Sequence, residues 1–249
     1  MTWSMTLSLH LHNISPMPQE SRTLSYIHYG RRRGRPERPH RQELLKTMLS
    51  TISVSLENVA ARSLDPRSLF PSNTTEIWLE IGYGAGEHLS TLAQRNPKVG
   101  FLGCEPFLNG VSRLLRQIET DKLCNVRVLV DDGRKMMEAL VPASISRIFV
   151  LFPDPWHKRR HHKRRLISTN SVSEFARIMH SGGLLRLATD HDEYCRWSLS
   201  HLLANPNFQW TAECANDWLC RPPDWPPTRY ERKAIVAGRQ PTFLSFSRI

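Results

Sequence analysis

Leu79-Glu80-Ile81-Gly82-Tyr83-Gly84-Ala85-Gly86 ends a short apolar run, residues 77–81, and opens a helical pattern. Glycines at a strand-to-helix junction let the backbone turn sharply and come close to a ligand with no Cβ in the way. The spacing is GxGxG, and Glu87 stands where a dinucleotide fingerprint needs its third glycine. That glycine would let a helix N-terminus cradle a pyrophosphate. The loop therefore points to a ligand without phosphate, and Gly82, Gly84 and Gly86 are its candidate cradle. The carboxylate of Glu80, at the strand end, suits a cationic group.

Outward from this loop, apolar runs recur at 99–104, 126–130, 148–152 and 184–188, with helical patterns such as 108–118 and 172–179 between them. Short, fully apolar strands alternating with helices predict an α/β fold, a parallel sheet covered on both faces. Ligands of such sheets bind at the carboxyl ends of the strands. Glu105 follows the second run, about 20 positions after the glycines, where an acid accepts hydrogen bonds from ribose hydroxyls. Asp131-Asp132-Gly133 follows the third, where an acid meets the adenine amine. Turn chemistry alone also accounts for this last triplet. Three acids in this order fit a positively charged nucleoside cofactor, and S-adenosylmethionine carries the amino and sulfonium groups required.

The chain has 249 residues, 40% of them hydrophobic, and a net charge of +11. That allows one sizeable core and favours a polyanionic partner. Residues 1–40 read as a basic, flexible arm containing Arg31-Arg32-Arg33-Gly34-Arg35, either a solvated tail or a segment that lies on phosphates. The main domain then covers 41–249, with a helix expected over 42–61. No apolar run approaches the ~18 residues of a membrane span, and the N-terminus does not read as a signal peptide. Five cysteines without CxxC or zinc-like spacing with histidine argue for free thiols, no metal and a cytoplasmic location. The end of the chain, from Phe208, is rich in Trp and Pro and finishes in a strand over 242–246.

After the fourth strand comes Phe152-Pro153-Asp154-Pro155-Trp156, then nine consecutive Lys, Arg or His residues from His157 to Arg165. The prolines stiffen the backbone around Asp154. A like-charged run of this length repels itself unless an anion is present, and a phosphate backbone supplies one. Phe-Pro-Asp-Pro-Trp-His-Lys with the following Lys-Arg-Arg resembles the signature of bacterial tRNA (guanine-N7)-methyltransferases. The resemblance takes in the loop from Glu80 to Gly86, Glu105, Ala188-Thr189-Asp190, Arg221-Pro222 and Thr228-Arg229-Tyr230-Glu231, with a weaker match from Arg22 to Arg31. The chain departs from the family pattern at Gly133 and Ala234.

The resemblance implies a Rossmann-like class I methyltransferase with a mostly parallel seven-stranded sheet. It implies that Glu80, Glu105 and Asp132 contact S-adenosylmethionine and that Asp154 is the active-site carboxylate. Lys158, Asp190, Thr228, Arg229, Tyr230 and Glu231 would contact the tRNA, whose target is guanine 46 in the variable loop. A monomer and a homodimer are both compatible. The adjacent Asp131 leaves the adenine contact open between two acids.

Guanine N7 carries a lone pair and no proton, so the expected task is to hold it in line with the methyl group and stabilise the charge that develops. Asp154 and Asp190 suit that role, and Trp156 or Tyr230 offers a stacking face for an unstacked base, although core packing accounts for Trp156 equally well. Three alternatives compete with this reading. A nicotinamide oxidoreductase would want a glycine at position 87. An amino-directed methyltransferase, acting on another RNA base, would carry Asp/Asn-Pro-Pro-aromatic in place of Pro153-Asp154-Pro155-Trp156. A non-catalytic RNA-binding protein would have no use for the intact set of acids.

Overall fold

The computed structural model describes residues 30–249. In chain order the elements are α1 (Pro39–Thr47), α2 (Leu49–Ile52), β1 (Glu76–Ile81), α3 (Glu87–Arg95), β2 (Val99–Cys104), α4 (Leu108–Asp121), β3 (Val126–Leu129), α5 (Gly133–Ala139), β4 (Ile145–Leu151), α6 (Thr169–Ile178), β5 (Met179–Thr189), α7 (Asp192–Leu203), β6 (Phe208–Trp210), α8 (Asn216–Leu219), α9 (Arg229–Val236) and β7 (Thr242–Arg248). The strands form a seven-stranded sheet in the order β3-β2-β1-β4-β5-β7-β6. β1 pairs in parallel with β2 and β4, and β7 is antiparallel to β5 and β6. The expected mostly parallel, seven-stranded α/β fold is the observed one.

Alternation along β1 explains the two-sided core. Ile77, Leu79 and Ile81 join Phe175, Ile178, Leu185 and Phe246 on one face, while Trp78 joins Leu89, Leu114, Leu115 and Phe149 on the other. Such strands need cover on both faces. α4 supplies it with Val111, Leu114, Leu115 and Ile118, spaced for one helical face and buried. Gly86, with φ +83°, turns the chain from loop into α3, and a Cβ there would lie 2.7 Å from Leu114 Cδ1. A side chain would fail on both counts.

The expected helix over 42–61 is shorter. It runs through α1 and α2 and stops at Ile52, because Ser53 turns extended and bridges Val128 at the edge of the sheet. The amide of Val54 donates to the carbonyl of Val128 at 2.8 Å, satisfying an edge group that a longer helix would leave open. Of the basic arm, residues 1–29, including Arg22, lie outside the described residues. Residues 30–38 run along the start of α4, where the Leu108 amide donates to the Arg32 carbonyl and the Gly34 amide donates to Asn109 Oδ1.

The order β2-β1-β4 places the switch of sheet direction between β1 and β4. Open α/β sheets bind ligands at the carboxyl ends of the strands that flank such a point.

Candidate active site

A cleft of about 410 Å³ opens there, lined by Gly82, Gly84, Glu105, Asp132, Asp154 and Tyr230 among others. The glycine loop forms its floor with left-handed backbone at Gly82, Gly84 and Gly86 (φ +76°, +61° and +83°). The amides of its three glycines are already used: Gly82 donates to Cys104 O, Gly86 to Tyr83 O, and Gly84 to Glu105 Oε2 at 2.8 Å. None of these three amides is free for a phosphate, which agrees with the missing glycine at 87. The cleft fits a phosphate-free nucleoside cofactor better than a dinucleotide.

Glu105 lies just past β2, 8% exposed, and accepts from Gly84 N and from Phe107 N at 2.9 Å. Burial pushes its carboxyl above the ordinary range. The Phe107 and Gly84 amides and the field of Arg229 pull back, and Asp154 adds to the rise. Each oxygen keeps a second lone pair for a ligand hydroxyl. The backbone comes unusually close here: a Cβ on Gly110 would lie 2.1 Å from the Gly84 carbonyl oxygen.

Asp132 caps α5, accepting from Arg134 N at 3.0 Å and from the Arg134 guanidinium at 2.9 and 2.6 Å. It lines the cleft with Gly133. Asp131 faces elsewhere, 2.7 Å from Lys135 Nζ and 3.4 Å from Arg32. Partial burial opposes its ionisation, yet Lys135, the Asp132 amide and Arg32 hold its carboxyl below the usual range. Of the two acids, Asp132 lines the cleft and Asp131 does not.

Glu80 sits beneath the loop rather than in the cleft lining. Its Oε2 meets His88 Nδ1 at 2.8 Å, with both side chains buried. Oε1 makes no hydrogen bond among the described residues. Sequence reasoning missed His88, whose position two residues into α3 places it under Glu80.

Asp154 stands in the cleft at the tip of β4, exposed, and makes no hydrogen bond or ion pair among the described residues. The turn that holds it has two non-glycine residues in left-handed conformation, Phe152 (φ +52°) and Trp156 (φ +46°). Each such residue costs about 1–3 kcal/mol and persists only where its surroundings over-determine it. On one side the Phe152 amide donates to Ala188 O at 2.7 Å, and its ring stacks on Tyr230 at 6.4 Å and 22°. On the other, Arg165 donates from Nε to Pro155 O at 2.8 Å.

The C-terminal motif divides in two. Thr228 and Glu231 are buried and cap α9 reciprocally, with Arg221 Nε 3.0 Å from Glu231. Arg229 and Tyr230 line the cleft, and a Cβ on Gly84 would lie 3.2 Å from the Tyr230 ring. Asp190, just past β5, is paired through Oδ2 with Arg239 at 2.7 Å and lies outside the cleft lining. Lys158 is exposed and leads into a 3-10 turn, Arg159–Arg164. Arg159 and Arg160 are exposed, whereas Arg165 is 2% exposed. The basic run is therefore not uniformly solvent-facing. Among the described residues no cluster of three or more His, Cys, Asp or Glu is arranged to hold a metal, and no helix is long and apolar enough to cross a membrane.

Sheet order, the covered glycine loop and acids at three strand tips define a Rossmann-like class I methyltransferase. Solved structures share the fold at low identity: a 16S rRNA methyltransferase, KamB (TM-score 0.54, 13% identity, 77% of this chain and 96% of that one), and an antibiotic-related methyltransferase (TM-score 0.50, 16%, 71% and 89%). The family model described as "Putative methyltransferase" matches residues 74–244. Proteins named tRNA (guanine-N(7)-)-methyltransferase are 48% identical in Rhodospirillum rubrum, over 88% of this chain and 87% of that protein, and 41% identical in Mesorhizobium japonicum, over 94% and 100%. The chain belongs to the tRNA (guanine-N(7)-)-methyltransferase family.

Proposed function

We propose that this protein transfers a methyl group from S-adenosylmethionine to N7 of a guanine in tRNA, with guanine 46 of the variable loop as its target. The observation that carries the reading is Asp154: a carboxylate unpaired among the described residues, on a strained turn, opening into the same cleft as Glu105 and Asp132.

When bound, the cofactor supplies an electrophilic methyl group. Glu105 accepts hydrogen bonds from the ribose hydroxyls, and Asp132 faces the adenine amine. Glu80 keeps Oε2 on His88 and offers Oε1 to the cationic amino group. Gly82, Gly84 and Gly86 let the backbone close on the cofactor without side chains in the way. Asp154 accepts from the guanine N1–H and exocyclic amine, which become more acidic as positive charge builds on the ring. No base is needed, because N7 carries no proton. Tyr230, stacked on Phe152 at the cleft mouth, offers its face to the extruded base.

Lys158 and the exposed basic residues after it meet phosphates, and Arg229 adds a cation inside the cleft. Asp190 keeps Oδ1 available beside Arg239 for the RNA. Thr228 and Glu231 serve the substrate through the cap that fixes Arg229 and Tyr230. A tRNA substrate favours the cytoplasm.

Incubation with labelled S-adenosylmethionine and unmodified tRNA, followed by mapping of the methylated base, tests this directly. Label on N7 of the variable-loop guanine is the expected result. Label on another base or atom would replace the assignment.

A further inference from the structure

Arg165 ends a run of nine basic residues, and its neighbours Arg159 and Arg160 are exposed. Its own side chain is 0% exposed. The guanidinium lies 4.8 Å from the Trp197 ring and 5.4 Å from the Tyr194 ring, both on α7. That platform is fixed: Trp197 Nε1 donates to Ile167 O at 2.7 Å, and Tyr194 is fully buried. From this seat Arg165 Nε donates to the carbonyl of Pro155, the residue after Asp154, while Nη2 donates to Glu193 Oε1 at 3.0 Å.

We infer that Arg165 is a positioning residue for the reaction: its buried guanidinium ties the turn that carries Asp154 to α7, and it does not touch the RNA. Three observations converge on this. A cation is costly to bury, and Nη1 is buried with no hydrogen-bond partner among the described residues, so charge alone does not account for the site. The turn between Phe152 and Trp156 is held in left-handed conformation at both ends and needs external restraint. Arg165 delivers that restraint to the middle of the turn, next to the group whose placement matters. Planar, forked donors reach a carbonyl and a carboxylate at once, which the single ammonium of lysine does not. Glu193, at the first turn of α7, completes the tie.

The inference rests on the role proposed for Asp154, so the test includes that residue. Single-turnover rates at saturating cofactor and tRNA, with the KM for tRNA and its salt dependence, are measured for Arg165→Lys, Glu193→Gln, Arg160→Ala and Asp154→Asn. Arg165→Lys is expected to slow methyl transfer by about tenfold or more, with the tRNA KM within about twofold of wild type and the salt slope unchanged. Arg160→Ala is expected to do the reverse. In Arg165→Ala, added guanidinium at millimolar concentration should restore part of the rate, which a general loss of folding would not allow. Should Arg165→Lys fail to fold, Glu193→Gln keeps the arginine and loses its anchor, and it should slow the step with KM unchanged. A raised KM and flatter salt slope in Arg165→Lys would make Arg165 an RNA contact and overturn the inference. So would a wild-type rate in both Arg165→Lys and Glu193→Gln while Asp154→Asn is slow. A wild-type rate in Asp154→Asn would instead remove the role on which the inference depends.

Discussion

His88 Nδ1 lies 2.8 Å from Glu80 Oε2, and both side chains are sealed between the glycine loop and Phe149, whose ring meets His88 edge-on at 4.9 Å. The pair joins the end of β1 to the first turn of α3. Removing one partner of a buried ionisable pair is costly, because the other is left unpaired. His88→Ala should therefore destabilise the fold by about 3–5 kcal/mol, seen as a lower denaturation midpoint. Glu80→Gln keeps an acceptor for His88 and loses the charge offered to the cofactor. It should weaken S-adenosylhomocysteine by about 1–1.5 kcal/mol, close to tenfold in Kd, with a smaller change in midpoint. A Kd equal to wild type in calorimetry would leave Glu80 as a purely structural partner of His88.

Glu105 adds a pH dependence. Burial raises its folded-state pKa above that of the unfolded chain. Folding therefore favours the protonated form, so this group helps stability below the ordinary carboxylate pKa and loses that contribution as pH rises through its raised value. Ligand binding has the opposite demand, since ribose hydroxyls and two backbone amides all need acceptors. The Kd for S-adenosylhomocysteine should weaken on the acid side, starting at a higher pH than an unperturbed carboxylate would give. Glu105→Ala should cost about 1–3 kcal/mol of binding and abolish that acid limb. A limb that persists in the variant assigns the titration to another group.

Much of this fold is legible in the chain because its strands are short apolar runs. Val99–Cys104 reads off directly, since all six residues are buried. β5 does not, because His180, Ser181 and Gly182 at its start are exposed and carry no apolar signal. The acids at the strand tips were visible by spacing, whereas their division of labour was not. Whether Asp131 or Asp132 faces the cleft depends on Lys135 and Arg32, which come from one turn downstream and from 99 residues upstream. The motif at 228–231 was visible as a string, yet the cap buries Thr228 and Glu231 and leaves Arg229 and Tyr230 in the cleft. Arg165 is the sharpest case: nothing within a run of nine basic residues marks the one that turns inward onto Trp197.

The exposed part of that run makes a salt-dependent prediction. Replacing Arg159, Arg160 and Lys163 with neutral residues should weaken tRNA binding and reduce the salt slope by about 0.7–0.9 for each phosphate that is no longer neutralised. Arg165 stays in place, because its removal would disturb the catalytic turn. Binding of S-adenosylhomocysteine should be spared. A filter-binding titration between about 50 and 200 mM salt, the range over which such ion pairs act, gives the slope. If it matches wild type, the loop is solvated surface.

The chemical step is tested at Asp154. Its carboxylate is unpaired among the described residues and held at the tip of β4 by a turn that Phe152 and Pro155 fasten from either side. An acceptor fixed in that way stabilises charge without having to reorganise as the charge forms. Asp154→Asn keeps the shape, loses the charge and replaces one acceptor by a donor facing the guanine N1–H or amine. It should lower the single-turnover rate by about 10²–10³, the usual scale for a lost electrostatic stabiliser, while the Kd values for cofactor and tRNA change little. Since N7 bears no proton, the wild-type rate should stay flat from about pH 6 to 9, with no titrating base in the step. A rate that rises log-linearly with pH in wild type and flattens in Asp154→Asn would make Asp154 a general base. Full activity in the variant would move the role to Asp190, whose Oδ2 would then have to leave Arg239 as the RNA binds.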